Sequence, residues 1–188
     1  MILSRIVLLL TAVLLPIAAA SADTPDPIIS DIRVTQGVDH VLLSTTLDPH
    51  LDEEMKEAVR AGVPLKFRFK VKLTRKGSLL GEKVVLKEDL IHTLQYNPIK
   101  KLYLFKGEGY GDDVEKTTRD AEEAFRWMTG IMEWPLYPLK DLRSSVRYRV
   151  RVMATLRSVE LPSVLGYLFF FTTIFNSETN WKQLDFTY

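Results

Sequence analysis

Carboxylates, histidines, clustered glycines and one-sided runs of cations are the groups in this chain that could do chemistry. Adjacent acids occur at Asp112-Asp113 and Glu122-Glu123, and a carboxyl pair serves as general acid and base where its surroundings pull the two pKa values apart. Both pairs fall in charged, water-facing stretches where nothing in the sequence would raise a pKa. The three histidines, His40, His50 and His92, lack metal-ligand spacing, and no helix pattern carries two of them. His92 is expected on the same strand face as Leu90 and Leu94, as a packed or hydrogen-bonded residue. Gly107, Gly109 and Gly111 look superficially like a phosphate loop, but Asp112 and Asp113 would repel an anion, and the acidic pattern of a calcium loop is absent. This segment reads as a flexible connector. With no cysteine in the chain, thiol catalysis, iron–sulfur clusters and cysteine zinc sites are excluded, and no serine nucleophile motif appears. The expectation is a protein that is not an enzyme and uses no metal or cofactor; a hydrolase with an unrecognised site is the residual alternative.

The cations are more informative. LKFRFKVKL from Leu65 to Leu73 and VRYRVRV from Val146 to Val152 alternate apolar with basic residues. Period-two alternation predicts half-buried strands, because successive side chains point to opposite faces of a sheet. The outward positions are then Lys66, Arg68, Lys70 and Lys72 on one strand and Arg147, Arg149 and Arg151 on the other. Residues 63–76 hold six basic side chains and no acid, and residues 143–157 hold five and none. The acids gather elsewhere, five in 48–61 and seven in 108–123, each cluster with a predicted helix. Two readings follow: the charges balance across one folded surface, or an outward basic face meets an acidic protein or anionic lipid. Like charges directly opposed on neighbouring strands are destabilising, so the two strands are expected apart, or in different sheets.

Those strands sit in a chain whose start has its own pattern. A basic n-region at Arg5, an apolar run from Ile6 to Ile17 and a small-residue end at Ala20-Ser21-Ala22 have the layout of a secretory signal peptide over 1–22. The run is shorter than the ~20 residues a spanning helix needs, so an uncleaved membrane anchor is the minor reading. Without residues 1–22 the chain has 24 basic and 24 acidic side chains, which disfavours a bulk polyanion binder such as a nucleic-acid protein. Residues 23–188 are long enough to bury one domain core without staples.

Strand patterns are expected over Ile28 to Gln36, Val41 to Leu47, Leu65 to Leu73, Glu82 to Tyr96 and Leu102 to Lys106, with a bulge or edge position near Glu88. A first helix is expected from Asp48-Pro49, with Asp48 as N-cap. A second follows a capping box running from Thr117 to Asp120 and carries an apolar stripe of Ala121, Ala124, Phe125, Met128, Ile131 and Met132 up to Pro135. The apolar, aromatic-rich stretch 164–175 suits a buried strand, or a groove for a partner chain or acyl tail. The fold class is therefore mainly β, an antiparallel β-sandwich-like (immunoglobulin-like) single domain with two inserted helices.

Leu51-Asp52-Glu53-Glu54-Met55, Ala58, Gly62-Val63-Pro64-Leu65 and the first cationic strand resemble an uncharacterised family of bacterial exported proteins, domain of unknown function forty-three-ninety. Tyr96-Asn97-Pro98, Tyr148-Arg149-Val150-Arg151, Leu161-Pro162 and the stretch from Phe175-Asn176-Ser177 to Trp181 are similar too. The family tends to show a compact Ser-Asp-Trp where this chain has Ser177-Glu178-Thr179-Asn180-Trp181. The resemblance implies an exported or membrane-anchored accessory protein of the cell envelope, encoded near sensor histidine kinases, and no catalytic residues. The expectation is an exported, periplasmic binding module that contacts an envelope or membrane protein, a sensor histidine kinase among the candidates, through the seven cations. An anionic lipid surface is a further possible partner. An apolar-ligand or lipid carrier built on 164–175 is the alternative.

Overall fold

The computed structural model describes residues 26–51, 53–77, 81–158 and 176–188. Strands β1 (Ile28–Gln36), β2 (His40–Asp48) and β7 (Gly130–Pro138) form a small antiparallel sheet in that spatial order. The larger sheet is built from β3 (Leu65–Lys76), β4 (Glu82–Asn97), β5 (Leu102–Glu108), β6 (Val114–Thr118), β8 (Arg147–Ser158) and β10 (Lys182–Thr187). Its order is β10-β8-β3-β4-β5-β6, and short β9 (Asn176–Glu178) pairs with β8 beyond the end of β10. Helices α1 (Glu53–Arg60) and α2 (Ala121–Thr129) are the two insertions. The expected mainly β, sandwich-like antiparallel architecture is what the chain adopts.

The core lies between the two sheets. Phe67, Phe69, Val71 and Leu73 of β3, Leu90 and Leu94 of β4, and Tyr148, Val150 and Val152 of β8 are buried there, facing Leu43 of β2 and Ile131, Trp134 and Leu136 of β7. Ala124 and Met128 bring α2 into the same core. Along β3, β4 and β8 these positions alternate because a pleated backbone sends every second side chain inward, whereas on β7 a register shift separates Ile131 from Trp134 and Leu136.

Local chemistry moves several boundaries from where the pattern puts them. Asp48 ends β2 and does not cap α1: its Oδ1 accepts the His50 N–H at 3.1 Å in a turn where His50 has φ 46°. That turn delays the helix to Glu53. The N-cap of α2 is Asp120, whose Oδ1 accepts from the Glu122 and Glu123 N–H groups at 2.8 and 3.3 Å. Thr117 and Thr118 end β6 instead, a strand the sequence reading does not assign. α2 stops at Thr129, short of Pro135. A Cβ on Gly130 would come within 2.9 Å of the Arg126 carbonyl oxygen. Beyond it Ile131 and Met132, read as helical stripe, belong to β7, with Ile131 buried and Met132 exposed.

Candidate functional site

The cationic strands β3 and β8 are direct antiparallel neighbours in one sheet, contrary to the expected separation. Arg151 stands opposite Lys72, and Lys72 stands opposite Lys87 on β4. Three cations therefore cross three adjacent strands in one row. Their even alternation with Phe67, Phe69, Val71, Val150 and Val152, all essentially unexposed, holds Lys66, Arg68, Lys70, Lys72, Arg149 and Arg151 on the outer face, half-buried among one another. Arg147, at the end of β8, is exposed. The sheet thus brings all seven expected residues to one side. The basic patch ends along β8 at Met153 and Thr155, which lie on the same face and are buried.

Proximity is tolerated because part of the face is neutralised within the sheet. The Arg149 guanidinium donates from Nε and Nη2 to the two Asp185 carboxylate oxygens at 2.6 and 3.0 Å, and from Nη1 to Glu82 Oε1 at 2.8 Å. Arg151 Nη2 lies 2.8 Å from Glu82 Oε2, and Lys76 Nζ lies 2.6 Å from Asp185 Oδ2. Hydrogen bonds from Arg149 and Lys76 hold the Asp185 carboxyl well below the usual carboxylate range. Arg68 stands 3.6 Å from Asp89. The balancing acids thus come from β4 and β10, and not from the two acidic helix regions. Among the described residues Lys66, Lys70, Lys72, Lys87 and Arg147 have no ion pair.

A one-residue bulge creates the Glu82 contact. Leu73 pairs with Leu86, but Thr74 pairs with Val84, so Val85 is extra. Beyond a bulge the side-chain alternation reverses. Glu82, which an unbroken strand would place with Leu86 and Leu90, therefore meets Arg149 and Arg151 on the outer face. The bulge lies upstream of Glu88, where the sequence suggested one. Lys87, Glu82 and Asp185 are the site residues that sequence reasoning missed. The KVVLKED stretch from Lys83 to Asp89 alternates irregularly, and that broken period is the signal that could have exposed the first two.

The second polar constellation is enclosed. His92 is unexposed on the inner face of β4, as expected for a packed residue. Its Nδ1–H donates to the Met128 carbonyl oxygen at 2.9 Å, and its Nε2 accepts from the Tyr110 hydroxyl at 2.5 Å. The first bond satisfies a carbonyl in the last turn of α2, where no intrahelical partner exists. Phe69 and Phe105 flank the ring at centroid distances of 4.9 and 5.2 Å. Burial pushes the imidazole down to about 4 and raises the Tyr110 hydroxyl, so both groups are neutral near pH 7. The glycine segment read as a loose connector is thus pinned by Tyr110. Gly109, at φ 91°, allows it, since a Cβ there would stand 2.5 Å from the Asp89 carbonyl oxygen.

Other polar candidates stay dispersed. His40 Nδ1 is 2.8 Å from its neighbour Asp39, and His50 Nε2 is 3.6 Å from Asp48. Asp112 and Asp113 are exposed, as are Glu122 and the helix start beside it. A cleft of about 460 Å³ between the end of α1 and the β4–β5 turn is lined by Gly62, Gln95, Asn97, Ile99, Leu104 and Thr117, among others. It gathers no charged pair. Among the described residues no helix is long and apolar enough to cross a membrane. The expected leader over 1–22 and the aromatic stretch 164–175 lie outside the described residues.

Residues 25–185 match the family described as Domain of unknown function (DUF4390), and the chain belongs to that family. No curated protein and no solved structure shows a match to it.

Proposed function

We propose that this member of the DUF4390 family is an exported accessory module of the cell envelope. It acts by binding, and the outer face of β3, β4 and β8 docks on an acidic surface of an envelope or membrane protein. The observation that carries this reading is the group Lys66, Lys70, Lys72 and Lys87, without an ion pair among the described residues, in which strand register sets Lys72 directly opposite Lys87. Directly opposed like charges on neighbouring strands destabilise a sheet by a few tenths to about 1 kcal/mol each. A counter-surface of carboxylates turns that cost into attraction and gives the encounter a steep dependence on salt. The chain is otherwise balanced in charge, with 25 basic and 24 acidic side chains, so the attraction is local to this face.

The test is titration of the purified protein with a fluorescent oligoglutamate peptide, read by anisotropy, beside an oligoglutamine peptide and phosphatidylglycerol vesicles. Docking on carboxylates predicts binding of oligoglutamate alone among the peptides. The binding should weaken several-fold when salt shortens the Debye length from about 10 Å to about 5 Å. No oligoglutamate binding at low salt, or binding confined to vesicles, refutes the reading.

A further inference from the structure

We infer that the basic face is divided, with recognition assigned to the lysines Lys66, Lys70, Lys72 and Lys87 and with Arg149 and Arg151 serving as an internal brace. This rests on the docking function proposed above and says which chemistry performs it. Each of the three guanidinium nitrogens of Arg149 already donates to a carboxylate oxygen, two to Asp185 and one to Glu82. Arg151 is shared between Glu82 and, at 3.4 Å, the Gln183 side-chain oxygen. An incoming carboxylate would have to displace a bidentate pair to reach Arg149, and such pairs combine charge with fixed geometry.

The brace also has a task within the fold. Asp185 lies on the edge strand β10 and Glu82 is the first residue of β4; Arg149 ties both to β8, and Lys76 of β3 holds Asp185 as well. The lysines are different. Lys70 and Lys72 are two residues apart on β3, Lys66 lies four residues before Lys70 with the Asp89-paired Arg68 between them, and Lys87 stands beside Lys72 on β4. Positions two apart on a strand are about 6.8 Å apart, and an ammonium on a four-carbon stem reaches over a range of directions. Such a set reads charge density and has no fork for a single planar group. Its ligand is a cluster of carboxylates on a partner protein, tolerant in geometry, and Lys87 is a contact residue of the site.

Three forms of the full chain separate the possibilities with the oligoglutamate probe. The wild type is compared with a Lys70→Gln/Lys72→Gln/Lys87→Gln triple variant and with Arg149→Lys, which keeps the charge but loses the bidentate geometry. The division predicts that the triple variant binds at least about tenfold more weakly with a melting temperature no lower than that of the wild type, since the opposed charges of Lys72 and Lys87 are removed. Arg149→Lys should melt lower yet bind within about twofold of wild type. If Arg149→Lys weakens binding about tenfold, or the triple variant binds like wild type, the division is wrong while the docking function stands. If the wild type itself ignores oligoglutamate, the docking function fails and the division falls with it.

Discussion

Acidification should destabilise this protein through His92 in particular. The imidazole is unexposed, wedged between Phe69 and Phe105, and its two nitrogens are committed to the Met128 carbonyl and the Tyr110 hydroxyl. A second ring proton on Nε2 can be accepted only by the Tyr110 oxygen, whose hydroxyl must then give up its own donation to the ring. Burial lowers the folded-state pKa from 6.5 to about 4. The unfolded chain therefore takes up the proton first, and stability falls as pH drops through 6.5 until the folded form also titrates near 4. At about 1.36 kcal/mol for each pH unit between those limits, the loss at pH 5 is about 2 kcal/mol relative to pH 7.5. Urea unfolding of the wild type and of His92→Gln at these two pH values, at constant ionic strength, measures it. Glutamine retains an amide donor and a carbonyl acceptor but no titration. The other ionisable groups cancel in the comparison, so the wild type should lose about 2 kcal/mol more than the variant. An equal loss in both proteins would refute the account of a buried, neutral imidazole.

Two further substitutions probe what surrounds that cluster. Gly109→Ala should cost about 1–3 kcal/mol in chemical denaturation, because the residue sits at positive φ and its new Cβ would collide with the Asp89 carbonyl; it should also perturb the Tyr110 environment in near-ultraviolet circular dichroism. Asp120→Ala removes the acceptor for two N–H groups at the start of α2 and should cost about 1 kcal/mol, whereas Thr117→Ala, at the position the sequence pattern marks as a cap, should change stability far less.

The elements rich in strand-forming residues, with β3 and β8 strictly alternating, are legible in the primary structure. β1 runs from Ile28 to Gln36 as the pattern predicts, and β3 and β8 begin with the two basic stretches. Sequence misreads the places where two local signals compete. Ile131 and Met132 continue the helical spacing of α2, yet they join β7, because β2 offers a pairing edge and Gly130 packs against the last helical turn. β6 escapes notice because its five residues, VEKTT, alternate poorly, and it forms by pairing with β5. The candidate site is legible in its cations and illegible in its carboxylates. Glu82 and Asp185 lie 67 and 36 residues from Arg149 along the chain, and no local pattern marks them as partners.

Side-chain direction is a property of each residue and its immediate neighbours, so the chain alone determined that the phenylalanines and valines of β3 and β8 turn inward and their lysines and arginines outward. It determined as well that no cysteine chemistry is present. Which strand lies beside which is set by long-range pairing, and tertiary structure alone decided it. That pairing put the two basic strands together, let a bulge at Val85 swing Glu82 across to meet them, and sealed His92 beneath Tyr110. Each of these depends on backbone hydrogen bonds and burial between distant segments, whose energies appear only once the sheets are assembled.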